Sequence, residues 1–124
     1  MGPRRAASLL AAGRAALGVA VLVAPEAVTS RWLGAHASHP AVRYLARSLG
    51  ARDLALGILA LRTLDDPDIA PQVLAACALA DSVDALATIA VRSQLPPAGA
   101  IGTVAVAGAA AAGGLYLARE LANA

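Results

Sequence analysis

Apolar residues run along this chain in four long stretches, each broken off by proline, glycine or charge. The first extends from Ala6 to Ala24, between the basic pair Arg4 and Arg5 and the helix-stopping Pro25. The second covers Ala41 to Leu61, opening after Pro40 and closing at Arg62. The third, Ile69 to Val91, follows the acidic turn Asp65-Asp66-Pro67-Asp68, and the fourth, Ala98 to Ala118, follows Pro96 and Pro97. Each approaches or exceeds the roughly 20 apolar residues a helix needs to cross a bilayer. Asp68 stands at the N-cap position of the third helix, and Pro71 is tolerated in its first turn. Between the first two stretches, Pro25 to Gly34 reads as a short helix with Pro at its first position, Glu26 in the first turn and Gly34 as its stop. Val28 and Trp32 share one face of it and Arg31 lies on another, the pattern of a segment in the headgroup region anchored by an interfacial aromatic. The pattern predicts an all-α fold. It is a four-transmembrane-helix bundle with a short interfacial helix between helices 1 and 2, a single domain over residues 1–124 with both termini on one side.

Composition supports a membrane protein over an Ala-rich soluble bundle: 59% of residues are apolar, 15% are charged and mean hydropathy is +0.67. A basic start followed by an apolar run also fits a signal peptide, but Arg14 divides the run and no small-x-small cleavage site follows, which favours a retained helix. With the N-terminus inside, Arg4, Arg5, Arg62 and Arg119 face the cytoplasm, against Arg31, Arg43 and Arg92 outside. This slight positive-inside excess predicts a multi-pass protein of the bacterial cytoplasmic (inner) membrane with both termini cytoplasmic.

The net charge of +2 does not imply a nucleic-acid partner, because several arginines lie inside apolar segments. Cys77 is the single cysteine, which excludes a disulfide within the chain and a thiolate cluster. His36 and His39 are three residues apart but have no third ligand near them in sequence, so no metal is expected. No cofactor is expected either.

Three of the four stretches carry charge near their midpoints: Arg14 in the first, Arg52 and Asp53 in the second, Asp81 and Asp84 in the third. At 1.5 Å per residue these groups lie roughly 12 to 13 Å from the charged residues at their helix ends, near the midplane of a core about 30 Å thick. A charge there costs roughly 2.5 to 3.5 kcal/mol even on the lenient insertion scale, so the five are expected to pair with one another. Arg43 and Arg47 can snorkel to the interface, leaving two arginines against three aspartates, or three against three if Arg47 reaches inward.

Helical spacing sharpens the expectation. Ala46, Gly50, Asp53, Gly57 and Ala60 form one stripe whose apolar members are all small, which permits close helix approach in a membrane. Cys77, Asp81, Asp84 and Thr88 share a face of the third helix, while Gly102, Ala109 and Gly113 suggest a tight packing or oligomer face on the fourth. A short repeat relates Arg14-Ala-Ala-Leu-Gly18 to Asp53-Leu-Ala-Leu-Gly57, opposing a basic residue to an acidic one.

The run Arg47-Ser-Leu-Gly50-Ala-Arg52-Asp53-Leu-Ala-Leu-Gly57, followed by Ala80-Asp81-Ser82-Val83-Asp84-Ala85, resembles a family of small four-helix bacterial membrane proteins broadly similar to the DoxX-like group. The likeness extends from Arg14 to about Thr88. It implies four transmembrane helices and a membrane location, and carries over no catalytic residue.

Three function classes fit. The first is a binding or accessory protein of the lipid bilayer whose cluster of Arg14, Arg52, Asp53, Asp81 and Asp84 holds a small apolar or lipid-like ligand or a partner subunit. The second is a membrane-embedded acid–base isomerase or cyclase using Asp81 or Asp84, with Asp53 as a further catalytic candidate. The third is a proton-coupled small transporter or channel working as a homo-oligomer. A purely structural network fixing helix register is the alternative to all three.

Overall fold

The computed structural model describes Met1–Ala124 and contains only helices: α1 (Pro3–Val23), α2 (Pro25–Leu33), α3 (Pro40–Thr63), α4 (Ala70–Ala90) and α5 (Pro97–Ala122). Short 3-10 turns at Gly34–Ser38 and Arg92–Gln94 join α2 to α3 and α4 to α5. Prolines open four of the five helices because a fixed φ and a missing N–H cost nothing at the first helical position. This is why Pro40 and Pro97 lie within their helices, not ahead of them, and why α3 and α5 are longer than the apolar runs Ala41–Leu61 and Ala98–Ala118. Leu121 extends the apolar face of α5 into the core past its charged last turn.

Gly34 ends α2 at φ 60° and ψ −136°, a conformation that side-chain-bearing residues avoid. In the turn leading into α4 the side-chain hydrogen bonds come from Asp66 and not Asp68: its Oδ1 accepts from the N–H of Asp68 (3.0 Å) and Ile69 (3.1 Å), and its carbonyl accepts from Ala70. Asp66 thus closes a single turn over residues 67–69 that runs into α4, satisfying N–H groups as a cap would. His39 caps α3 in the same spirit, its Nδ1 accepting from the N–H of Ala41 at 3.2 Å.

The long helices alternate in direction. At one end Ala7, Ala70, Leu74, Leu117, Ala118 and Leu121 form a core cluster with Leu64 packed against it, so the start of α1, the end of α5 and the α3–α4 turn meet there. At the opposite end Gly99 of α5 lies against the backbone of Arg31 and Trp32. The interior is built mostly of alanine, while Leu79, Leu86, Ile101 and Val106 are each more than half exposed. Large apolar side chains outside and small ones inside are what helices surrounded by lipid require. By length and hydropathy α1, α4 and α5 are able to cross a membrane. The four expected crossings thus reduce to three on this criterion, because α3 carries Arg43, Arg47, Arg52, Asp53 and Arg62.

Candidate functional site

The stripe Ala46, Gly50, Asp53, Gly57 and Ala60 is the buried face of α3, and α1 lies on it. A Cβ on Gly57 would stand 2.8 Å from the carbonyl oxygen of Ala11 and 2.7 Å from the nitrogen of Ala15; one on Gly18 would stand 2.6 Å from the carbonyl oxygen of Gly50 and 2.5 Å from the nitrogen of Leu54. The two contacts are mirror images in sequence. The glycine four residues after Arg14 touches the backbone around Asp53, and the glycine four residues after Asp53 touches the backbone around Arg14. The short repeat is therefore a local two-fold packing motif, with the Arg14–Asp53 ion pair at its centre.

That pair is one link in a longer chain. Arg14 Nη1 donates to Asp53 Oδ1 at 3.0 Å, and its Nη2 donates to Asp81 Oδ2 on α4. Arg52 grips Asp84 with both nitrogens, at 3.1 and 2.7 Å, and its Nη2 also reaches Asp53 Oδ1 at 3.2 Å. All five charged residues are thus joined in the order Asp81–Arg14–Asp53–Arg52–Asp84, tying α1, α3 and α4 together. Asp53 and Asp81 are 8% and 7% exposed, whereas the side chains of Arg52 and Asp84 retain about a third of their exposure, 33% and 29%. The Arg52 Nε is buried and makes no hydrogen bond. Arg47 does not join: its Nε donates to the carbonyl of Leu22 at 3.3 Å, serving one of the last carbonyls of α1. Two cations therefore face three anions.

Cys77 and Thr88 are buried on the same face of α4 as Asp81, as their spacing predicts, and the Thr88 hydroxyl donates to the Asp84 carbonyl at 2.8 Å. On α5, packing within the chain uses glycines other than Gly102 and Gly113. Gly99 and Gly114 are the packing positions, against α2 and α4, while a Cβ on Gly102 or Gly113 would meet nothing within 4 Å. The histidine pair has no metal-binding partners, and no group of three candidate metal ligands occurs in the chain.

Alongside the ion-pair chain lies a groove of about 740 Å³ between α1 and α5. Leu9, Leu17, Val21 and Val106 supply apolar walls, Arg31 and Trp32 stand at the α2 end, and Arg14, Asp53, Asp81 and Asp84 form the floor. Arg52 lies outside its lining. The sequence alone signals none of the groove, since it arises where two closely packed pairs, α1 with α3 and α4 with α5, diverge. Gly13 and Gly102 line it from opposite walls, and a Cβ on either would meet no other atom within 4 Å. No family model, curated protein or solved structure matches the chain.

Proposed function

We propose that this chain is a small multi-pass protein of the bacterial cytoplasmic membrane, akin to the DoxX-like group, whose α1–α5 groove binds a lipid-like apolar molecule entering from the bilayer. The observation that carries the binding reading is the groove: its volume of about 740 Å³ falls within the 300–1,000 Å³ of small-molecule sites, and it combines apolar walls with a few convergent polar groups.

A fourth crossing by α3 is supported by connectivity. If α1 and α4 both cross, the chain between them must return across the membrane, and α3 is the one long helix available to do so. Its central charges are paired with one another and with α1 and α4, so neither is left without a counter-ion. Replacing Asp65 or His36 with Cys, in a Cys77→Ala background, should give labelling from opposite faces of the membrane; labelling from one face refutes the crossing. The positive-inside excess supports cytoplasmic termini, and the face from which Asp65→Cys is labelled tests it.

Ligand binding is read out by Trp32, the only tryptophan, at the end of the groove. A dodecanol brominated at the far end of its chain should quench Trp32 saturably. Gly102→Leu, which fills the groove, should abolish that quenching. Non-saturable quenching, or saturable quenching untouched by Gly102→Leu, overturns the binding reading.

A further inference from the structure

We infer that the groove selects a single-chain amphiphile with a protonated primary amine head, seated on the carboxylates of Asp53 and Asp81. This rests on the groove reading above and adds the charge of the ligand to it.

The ion-pair chain starts and ends on a carboxylate, so it carries one more negative charge than positive. Arg47, which would have balanced it, is engaged with the Leu22 carbonyl. Uncompensated charge in a low-dielectric environment is strongly disfavoured, and a cation that completes the set is correspondingly favoured.

The groove sees an even larger imbalance. Asp53, Asp81 and Asp84 all line it, but of the two guanidinium groups only Arg14 does. The acceptors are specific as well. Asp53 receives both its hydrogen bonds on Oδ1 and Asp81 receives its bond on Oδ2, so Oδ2 of Asp53 and Oδ1 of Asp81 accept none, and neither oxygen is sealed from its surroundings. An ammonium head carries three donors on a compact charge, which suits two carboxylates that each keep an oxygen with no hydrogen bond.

One other charged group faces the groove. Arg31 stands at the α2 end beside Trp32 and Gly99 and is exposed, free to turn toward headgroup phosphates. Seven residues of α1 separate Val21 at that end from Arg14, about 10 Å of apolar wall. An amine on the floor therefore sends its alkyl chain along this wall toward Trp32. A carboxylate or phosphate head would instead remain at Arg31 and send its chain the other way.

The test compares dodecylamine and dodecanol, each brominated at the far end of the chain, by Trp32 quenching of the protein in a nonionic detergent at pH 7. The amine should bind at least about tenfold tighter, the scale of a charge-assisted hydrogen bond. Asp81→Asn should bring the two within about twofold. Arg31→Gln should preserve the preference. Equal saturable binding of amine and alcohol to the wild-type protein overturns the inference and leaves the groove reading intact, because the network then neutralises itself with a proton. Absence of saturable binding by either overturns the groove reading itself. A preference for the amine that survives Asp81→Asn also overturns the inference, since the head is then held elsewhere. The wild-type comparison decides even if an Asn variant fails to fold.

Discussion

The seam between α1 and α3 is made of backbone, and the seam between α4 and α5 is made of side chains. At Gly18, Gly50 and Gly57 an added Cβ would fall within 2.5 to 2.8 Å of main-chain atoms on the opposing helix, whereas at Gly114 the nearest atoms are the Ala78 Cβ at 3.4 Å and the Leu74 carbonyl oxygen at 3.5 Å. The difference follows from what each seam holds. An arginine on α1 has to reach an aspartate on α3 with its guanidinium correctly oriented, and only glycine lets the helices come close enough around it. The α4–α5 seam holds no charge pair, so ordinary van der Waals contact between alanine-rich faces is sufficient. Buried ion pairing between helices thus sets its packing requirement on one seam and leaves the other forgiving.

The largest expected effect comes from removing the centre of the tight seam. Arg14→Met leaves Asp53 with only Arg52, whose side chain is a third exposed, and leaves Asp81 with no partner. Breaking a buried ionic network in this way costs about 3 to 5 kcal/mol. Arg4→Met removes an ion pair too, with Asp65 at 3.0 Å, but one whose side chains are 61% and 93% exposed. Such a pair is worth less than about 1 kcal/mol. Unfolding in detergent micelles compares the two directly, and equal losses would show that Arg14 is no more buried than Arg4.

Next comes the glycine at the two-fold position. Gly57→Ala puts a methyl group against the Ala11 carbonyl and the Ala15 nitrogen, neither of which is able to move without shifting α1. Overpacking of this kind costs about 1 to 3 kcal/mol, and the displaced helix also pulls Arg14 away from its partners. Gly18→Ala should match it, since the repeat makes the two sites equivalent. A tolerated Gly57→Ala would mean that the seam is held by the ion pairs alone.

The parts of this arrangement that were legible in the sequence share one property: they depend on residues within a few turns of one helix. The stripe through Asp53 and the face through Cys77, Asp81 and Thr88 follow from a 3.6-residue period, and the pairing of mid-helix charges follows from the cost of leaving them in lipid. What depended on three-dimensional relations was not legible. Gly102 and Gly113 look as suited to packing as Gly99 and Gly114, and only the crossing of α5 over α2 and α4 separates them. Arg47 stays out of the cluster, as its place in the early turns of α3 indicates, but its partner, the Leu22 carbonyl on α1, left no sign in the sequence. The groove belongs to no helix and so left no period to read. The helix cap failed for a more local reason: Asp66 and Asp68 both precede an apolar run, and only the side chain of Asp66 turns back onto the N–H groups of Asp68 and Ile69 in the turn before α4.

That cap gives a smaller effect, away from both seams. Asp66→Ala removes the acceptor for two N–H groups at the start of α4 and should cost about 1 kcal/mol, within the usual 0.5 to 2 for such caps. Asp68→Ala, two residues on, removes no hydrogen bond made by its side chain and should change the melting midpoint less. A larger loss at Asp68 would restore it as the cap.

The smallest effect belongs to the forgiving seam and completes the contrast. Gly114→Ala adds the same methyl group as Gly57→Ala, on a helix of similar length, against a neighbour that is again largely alanine. Its Cβ would rest 3.4 Å from the Ala78 Cβ and 3.5 Å from the Leu74 carbonyl oxygen, distances at which little has to move. Alanine also carries up to about 1 kcal/mol of intrinsic helix preference over glycine, which opposes any residual crowding. The variant should therefore unfold within about 1 kcal/mol of the parent, and on the stable side if the helix preference prevails. Measured beside Gly57→Ala under the same conditions, it isolates the packing geometry from the chemistry of the substitution. If Gly114→Ala proves as damaging as Gly57→Ala, both seams are backbone contacts, and the link between close approach and the buried ion pair is lost.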